Sequence, residues 1–201
     1  MTATVRPARD ADLPSLVLLA REHGGSEAPP EAVRERYRAH PDLFVVAVAA
    51  DGVVVGEAHG RPRRPEEDPT GEGPDAVVLD RIAVVPDRRD EGVGRRLLAE
   101  FEEHAAGHAP RVEVAAAGEV EWFYRACGYE PWAVLVQGAD PDPAGARRRV
   151  DDGDRVLGGR RVDGESRLYV EPSAFAEGTA ERLVDRLDAR SANTLYRKRV
   201  R

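Results

Sequence analysis

The stretch from Val77 to Phe101 constrains this chain most, because it reads as a strand, a glycine turn and a helix in direct succession. Val77 to Val85 is rich in β-branched residues and has the length of a buried strand. Pro86 cannot donate a ladder hydrogen bond, so pairing should stop there, with a helix beginning just beyond. Gly92 and Gly94 let a backbone approach a ligand without interference from a Cβ, and the first amides of the following helix point into the same space. The helix dipole, with Arg89 and Arg95, favours an anion such as a pyrophosphate there. Leu97, Leu98 and Phe101 recur at helical spacing, so one face of that helix is apolar and should pack on a sheet. Two other phosphate-binding patterns fit worse. The dinucleotide fingerprint wants a third glycine where Leu97 stands, and the Gly-Lys-Ser/Thr ending of a P-loop is absent.

A chain of 201 residues can bury a real core, and this one fits a single domain over 1–201 with an elaboration better than two full domains. The apolar run Leu43 to Ala50 is too short to span a bilayer, and the first residues lack a signal-peptide core, so a cytoplasmic protein with no membrane partner is expected. Cys127 is the sole cysteine and is expected to be buried. The five histidines form no ligand-spaced cluster, so no metal site is expected. A formal net charge of −7 disfavours nucleic-acid binding and mildly favours cationic substrates. The Arg147-Arg148-Arg149 run reads as a solvated loop, since Asp151, Asp152 and Asp154 adjoin it.

In chain order, Thr2 to Val5 is a strand candidate, and Asp10 is placed to cap a helix carrying Leu13, Leu16, Val17 and Ala20 that Gly24-Gly25 ends. Pro29-Pro30 opens a second helix, Glu31 to Ala39, with Val33 and Tyr37 on one side. Leu43 to Ala50 and Val53 to His59 are strands joined by Asp51-Gly52, a strong hairpin signal. Arg61 to Asp75, crowded with Pro, Gly, Glu and Arg, reads as a mobile loop with a role in substrate access. Arg111 to Ala116 is a further strand, parallel to the Val77 strand across the helix that joins them. Glu119 to Cys127 has helical character, and Gly128 closes it as a left-handed C-cap before a strand through Trp132 to Val136. Residues 138–192 form an insertion before a last strand, Thr194 to Val200. It has a polar first half, a small strand Arg167 to Val170, and a helix through Leu183, Val184 and Leu187 reached from Ser173 or a turn at Ala176. Its apolar content is too small for an independent core.

Two segments carry a family resemblance. Arg89-Asp90-Glu91-Gly92-Val93-Gly94 resembles the Gln/Arg-x-x-Gly-x-Gly/Ala signature of the GCN5-related N-acetyltransferases (GNAT), and Tyr124-Arg125-Ala126-Cys127-Gly128-Tyr129-Glu130 resembles their Tyr-x-x-x-Gly-Phe/Tyr-Glu segment in the same order. The resemblance covers Val77 to Val136 most strongly. It implies an α/β fold of the acyl-CoA N-acyltransferase type, with a mixed central β-sheet flanked by helices and an insertion in the C-terminal hairpin. Acetyl-CoA is the implied co-substrate, with its pantetheine pairing to backbone at Ile82, Ala83 and Val84 and its pyrophosphate on the amides of Arg89, Asp90, Glu91, Gly92, Val93, Gly94 and Arg95. One departure concerns the acyl arm: many members carry an asparagine near the start of the second segment, where this chain has Ala117-Gly118.

Amide formation from a thioester needs a neutral amine, stabilisation of the oxyanion, and a proton for the departing thiolate. Tyr124 matches the family's usual acid, against the alternative of a core tyrosine whose hydroxyl is tied to backbone. Strand alternation places Val78, Asp80, Ile82 and Val84 on one side. This makes Asp80 the candidate base through water, with Glu57 as the alternative and pairing to an arginine such as Arg81 as the competing role. The expected function is acetyl transfer to a primary amine of a small molecule or a protein; the alternative is an idle acyl-CoA-binding regulatory module. The sequence leaves the acceptor open, and leaves open whether the chain forms a homodimer through its terminal hairpin and insertion.

Overall fold

The computed structural model describes residues 3–23, 30–71 and 75–201. The Gly24-Gly25 helix stop, Pro29 and Thr2 lie outside the described residues. The chain divides into two compact units: Met1–Pro62, Ala76–Val112 and Arg199–Arg201 form the first, and Arg63–Asp75 with Glu113–Lys198 the second.

The first unit contains β1 (Thr4–Pro7), α1 (Leu13–His23), α2 (Pro30–Ala39), β2 (Phe44–Val48), β3 (Val54–Pro62), β4 (Val77–Val84) and α3 (Val93–Ala105). The pairings β1 to β2, β2 to β3 and β3 to β4 are all antiparallel. One sheet face is covered by α1 and α2, whose Leu16, Ala20, Val33 and Tyr37 cluster with Phe44 and Val46. The other face receives α3 through Leu97, Leu98 and Phe101, all buried as their spacing predicts.

Two strand glycines make that second contact close. A Cβ at Gly60 would lie 2.2 Å from the Val78 carbonyl oxygen and 2.7 Å from Phe101 Cζ, and one at Gly56 would lie 2.9 Å from the Ala83 carbonyl oxygen and 3.0 Å from Leu97 Cδ1. Glycine weakens a strand, yet here it is the space into which the helix packs. Gly60→Ala is therefore expected to overpack this layer and lower unfolding stability by about 1–3 kcal/mol, measurable by urea titration.

The Asp51-Gly52 hairpin is present. Gly52 alone takes a left-handed conformation (φ 85°), with Gly52 N donating to Ala49 O and Ala49 N to Val53 O, the form in which a turn is followed by a glycine bulge. Asp10 does not cap α1. Its carboxylate accepts from the Tyr37 hydroxyl at 3.0 Å, while Asp12 accepts from Arg9 N at 2.8 Å and from Arg6 at 2.7 Å, and the bond to Arg6 holds its carboxyl below the usual range. α3 begins at Val93, within the glycine turn as the order strand, glycine turn, helix predicts, and a single 3-10 turn (Pro86–Arg88) follows the end of β4.

The second unit contains α4 (Glu121–Ala126), β6 (Glu130–Gln137), α5 (Pro143–Arg147), β7 (Arg155–Val162), β8 (Glu165–Glu171), α6 (Thr179–Leu187) and β9 (Ser191–Arg199). Its strands run in the order β9-β6-β8-β7, all antiparallel. β5 (Arg111–Ala116) matches the predicted strand residue for residue and falls across the division.

The insertion is more regular than its composition suggests. β7 was not anticipated, although Asp163-Gly164 after it carries left-handed φ values of 52° and 79°, the signature of a tight hairpin turn. Leu183 and Leu187 of α6, with Val156, Leu168 and Val170, join Val134 and Val136 of β6 in one apolar cluster. The insertion thus shares its core with the strand that leads into it.

The segment expected to be a mobile loop is held in its described part. β3 runs on through Pro62, and the buried Arg63 guanidinium lies 3.2 Å from Glu113 and 3.7 Å from Asp68. Glu67 pairs with Arg167 at 3.4 Å, and Arg160 donates to the Asp68 carbonyl. The charges that suggested a solvated loop instead find partners, which makes their burial tolerable. Cys127, expected buried, is only half-buried.

Candidate active site

The register of β3 and β4 passes from His59↔Arg81 to Gly60↔Leu79, so Asp80 is an extra residue on β4, a β-bulge. This corrects the strict alternation expected there. Ile82 pairs with Ala58 and Val84 with Gly56, on the α3 side, whereas Val78 pairs with Arg61 on the α1 side. The bulge turns Asp80 toward the α1 side as well, where its Oδ2 lies 3.4 Å from Arg61 Nε and both side chains are half-buried. Bulges re-aim side chains in this way beside functional sites. Asp80 therefore has an arginine neighbour, Arg61 and not Arg81.

Next to it stands a group that the sequence reading approached only through Glu57. The Glu57 carboxylate is fully buried, 2.6 Å from Arg81 Nε and 3.1 Å from His59 Nδ1. Arg81 also donates to the carbonyls of Leu19 (2.6 Å) and Ala20 (3.3 Å) in α1, and the His59 ring stacks on Phe44 with centroids 4.6 Å apart. Glu57 is thus occupied by two cationic or donating partners, which disfavours it as a base beside the more accessible Asp80. The pairing to Arg81 raised from the sequence thus falls to Glu57, while His59 was missed because its role depends on a cross-strand arrangement that no local pattern displays. Arg81→Met should leave Glu57 as an uncompensated buried charge and cost about 3–5 kcal/mol of stability, measured by denaturant unfolding.

At the glycine turn, Asp90 (φ 63°) and Gly92 (φ 74°) are both left-handed, and no side chain caps α3. Successive amides in such a conformation form a concave nest, and the first turn of the helix adds donors that have no intrahelical acceptor. A Cβ at Gly92 would meet only Arg96 Nη1, at 3.9 Å, so the surface above the turn is open. Arg88 pairs with Glu91 at 3.6 Å, Arg89 Nε donates to Val84 O at 3.3 Å, and Arg96 Nη1 donates to Glu91 O at 3.4 Å. Of the arginines, Arg96 folds back over the turn, a residue that the sequence reading did not single out. The segment from Arg89 to Arg95 follows directly on the strand end that carries Ile82, Ala83 and Val84, so these candidates lie together in the first unit with Asp80.

Tyr124 lies in the second unit. Tyr129 N donates to Tyr124 O and Gly128 N to Arg125 O, both at 3.0 Å, with Gly128 left-handed (φ 85°). This is a Schellman cap, and the Tyr124 and Tyr129 rings, with centroids 5.7 Å apart, supply its apolar contact. The Tyr-x-x-x-Gly-Tyr spacing therefore has a local structural cause. The Tyr124 ring is further bounded by Phe123 and Tyr196, yet its hydroxyl makes no hydrogen bond among the described residues. Burial, with a smaller contribution from Cys127, pushes its pKa up to about 12.

Glu121, at the start of the same helix, accepts from Thr194 Oγ1 (2.6 Å) and the Tyr196 hydroxyl (2.8 Å), and Arg125 Nε donates to that hydroxyl at 3.0 Å. These bonds anchor α4 to β9. No group of three or more histidine, cysteine or carboxylate side chains able to hold a metal occurs among the described residues, and no helix is long and apolar enough to cross a membrane.

Residues 40–131 match the profile described as an acetyltransferase (GNAT) domain. No curated protein matches the sequence significantly. Among solved structures, a GNAT superfamily phosphinothricin acetyltransferase from Sinorhizobium meliloti, in complex with AcCoA, superposes with a TM-score of 0.60 at 17% identity, covering 100% of this chain and 89% of that one. A ribosomal-protein-alanine N-acetyltransferase from Brucella melitensis gives 0.53 at 25% identity, with 83% and 97% covered. A GNAT family N-acetyltransferase from Escherichia coli, in complex with CoA, gives 0.53 at 21% identity, with 87% and 83% covered. Residues 40–131 thus resemble a GNAT acetyltransferase domain, and the chain shares the fold of these solved acetyltransferases.

Proposed function

We propose that the protein is an acetyl-CoA-dependent N-acetyltransferase acting on a primary amine. The observation that carries this reading is the nest at Asp90 to Gly92 opening onto an uncapped helix, in a segment that bears the family's pyrophosphate signature. In this reading the amides from Arg89 to Arg95 hold the pyrophosphate, and the backbone of Ile82, Ala83 and Val84 pairs with the pantetheine. The amine nitrogen bonds to the thioester carbonyl carbon, the carbon–sulfur bond breaks, and the products are an amide and the free thiol. Asp80, through water, takes the proton that the amine loses, and Tyr124 donates the proton that the sulfur receives. The tyrosine's unengaged hydroxyl favours this role over a purely structural one.

The whole chain acts as one transferase domain, with residues 138–192 inserted in its terminal hairpin. It works in the cytoplasm, takes a small-molecule or protein amine, and requires no metal, nucleic acid or membrane. Calorimetric titration with acetyl-CoA, NAD and ATP, followed by thiol-release assays over a panel of amines, tests the reading. Acetyl-CoA binding with amine-dependent thiol release supports it. Binding without release from any amine points to the idle module, and binding of NAD or ATP instead of acetyl-CoA overturns it.

A further inference from the structure

The α1-side face of β3 and β4 carries two ion pairs of different strength. Glu57 and Arg81 are 2.6 Å apart, with Glu57 fully buried, and are tied further to His59 and to the α1 carbonyls. Arg61 and Asp80 meet through a longer contact of 3.4 Å, have both side chains half-buried, and lie at the bulge, where Arg61 Nη1 also donates to the Pro62 carbonyl at 3.3 Å. The inner pair is fixed by its neighbours. The outer pair offers one carboxylate and one guanidinium, balanced in charge, side by side and reachable from solvent.

From this we propose that the acceptor is a zwitterion of the α-amino-acid class, its ammonium taken by Asp80 and its carboxylate by Arg61. The proposal rests on the N-acetyltransferase reading and specifies its substrate. A ligand with only an ammonium that seats on Asp80 displaces the Arg61 guanidinium and adds a positive charge to a half-buried face that already holds Arg61 and Arg81. Removing one partner from a sheltered pair is costly. A ligand bearing both charges replaces each partner with its like and leaves the balance unchanged. A planar guanidinium also suits a carboxylate by bidentate hydrogen bonding. The same seat holds the amine near Asp80, to which the proposed reaction passes its proton through water. His59, on the same face, is engaged through Nδ1 with Glu57 and stacks on Phe44, and Tyr37 there donates to Asp10.

The test compares the common L-amino acids with their carboxamides, each pair sharing a side chain, by thiol release from acetyl-CoA. The carboxamide amine is the less basic and is neutral in larger fraction near pH 7.5, so intrinsic reactivity favours the carboxamide. Preference for the free acid therefore has to come from recognition. The expected result is kcat/KM higher for at least one amino acid than for its carboxamide by about 10- to 100-fold, as for one charge-assisted contact. In Arg61→Gln that ratio should fall toward one, and in Arg61→Lys it should be partly kept. Circular dichroism and acetyl-CoA titration of each variant establish that it is folded. Release with carboxamides or simple amines but not with acids overturns this inference alone and leaves the transferase reading standing. An equal fall for acid and carboxamide in Arg61→Gln overturns it too, as the mark of a structural role. Acetyl-CoA binding without release from any amine overturns both.

Discussion

Gly92→Glu is expected to weaken acetyl-CoA binding by about 100-fold or more while leaving the protein folded. Two effects add at this position. Its φ of 74° lies in the left-handed region, where a residue with a Cβ costs roughly 1–2 kcal/mol relative to glycine. The new side chain also puts bulk and a negative charge above the nest, where the proposed ligand places its own negative charge. A Cβ there meets nothing closer than the flexible end of Arg96, so the substitution disturbs little of the surrounding packing. The strain is therefore a local, tolerable loss, and the larger consequence falls on the ligand. Each 1.4 kcal/mol lost is a tenfold change in affinity, so lost amide contacts together with like-charge repulsion should weaken binding by about 100-fold or more. Titration calorimetry of the wild type and the variant measures this directly. Equal affinity in the two would remove the pyrophosphate from this turn.

The part of the molecule legible in the sequence is the part fixed by local rules. Gly92, Gly128 and Asp51-Gly52 announce left-handed or turn conformations, and Leu97, Leu98 and Phe101 announce a buried helix face. All stand where their spacing puts them. The bulge at Asp80 was not legible, because a one-residue register slip arises from two strands together and leaves no trace in either alone. For the same reason alternation alone misplaces the Asp80 side chain. The Glu57, His59 and Arg81 group also needs the β3 to β4 register to exist. In the insertion, polar composition concealed β7: its two glycines and three arginines lower the apparent strand signal, yet Val156 joins the apolar cluster of Leu168 and Val170 and Asp163-Gly164 turns the strand into β8. Charge density in 61–75 suggested solvent exposure because a sequence does not reveal that Arg63 will meet Glu113, fifty positions on.

Tyr124→Phe should lower kcat by about 10²- to 10⁴-fold while leaving acetyl-CoA affinity nearly unchanged. The expected loss is incomplete because the leaving group is a thiolate, whose conjugate acid has a pKa near 8.5, so departure proceeds slowly without a proton donor. Affinity should hold because the ring, not the hydroxyl, makes the contacts with Phe123, Tyr129 and Tyr196, and phenylalanine keeps the ring. The pH dependence follows from the same burial. With its pKa pushed up to about 12, Tyr124 stays protonated throughout the neutral and mildly alkaline range, so the acid limb of catalysis should not titrate there. Any rise in kcat/KM between about pH 6 and 9 then belongs to the amine or its base, and should persist in Tyr124→Phe. For stability the sign is equally definite. An unfolded tyrosine ionises near 10, whereas this one, like Tyr196, resists ionisation until about 12, so its contribution is whole below about 10 and is lost as the pH climbs toward 12. Parallel single-turnover assays and alkaline unfolding curves on the wild type and the variant separate the two roles. A fall in affinity equal to the fall in rate would make Tyr124 a packing residue, whereas a fall in rate with the binding isotherm and Schellman-capped helix intact would make it the proton donor.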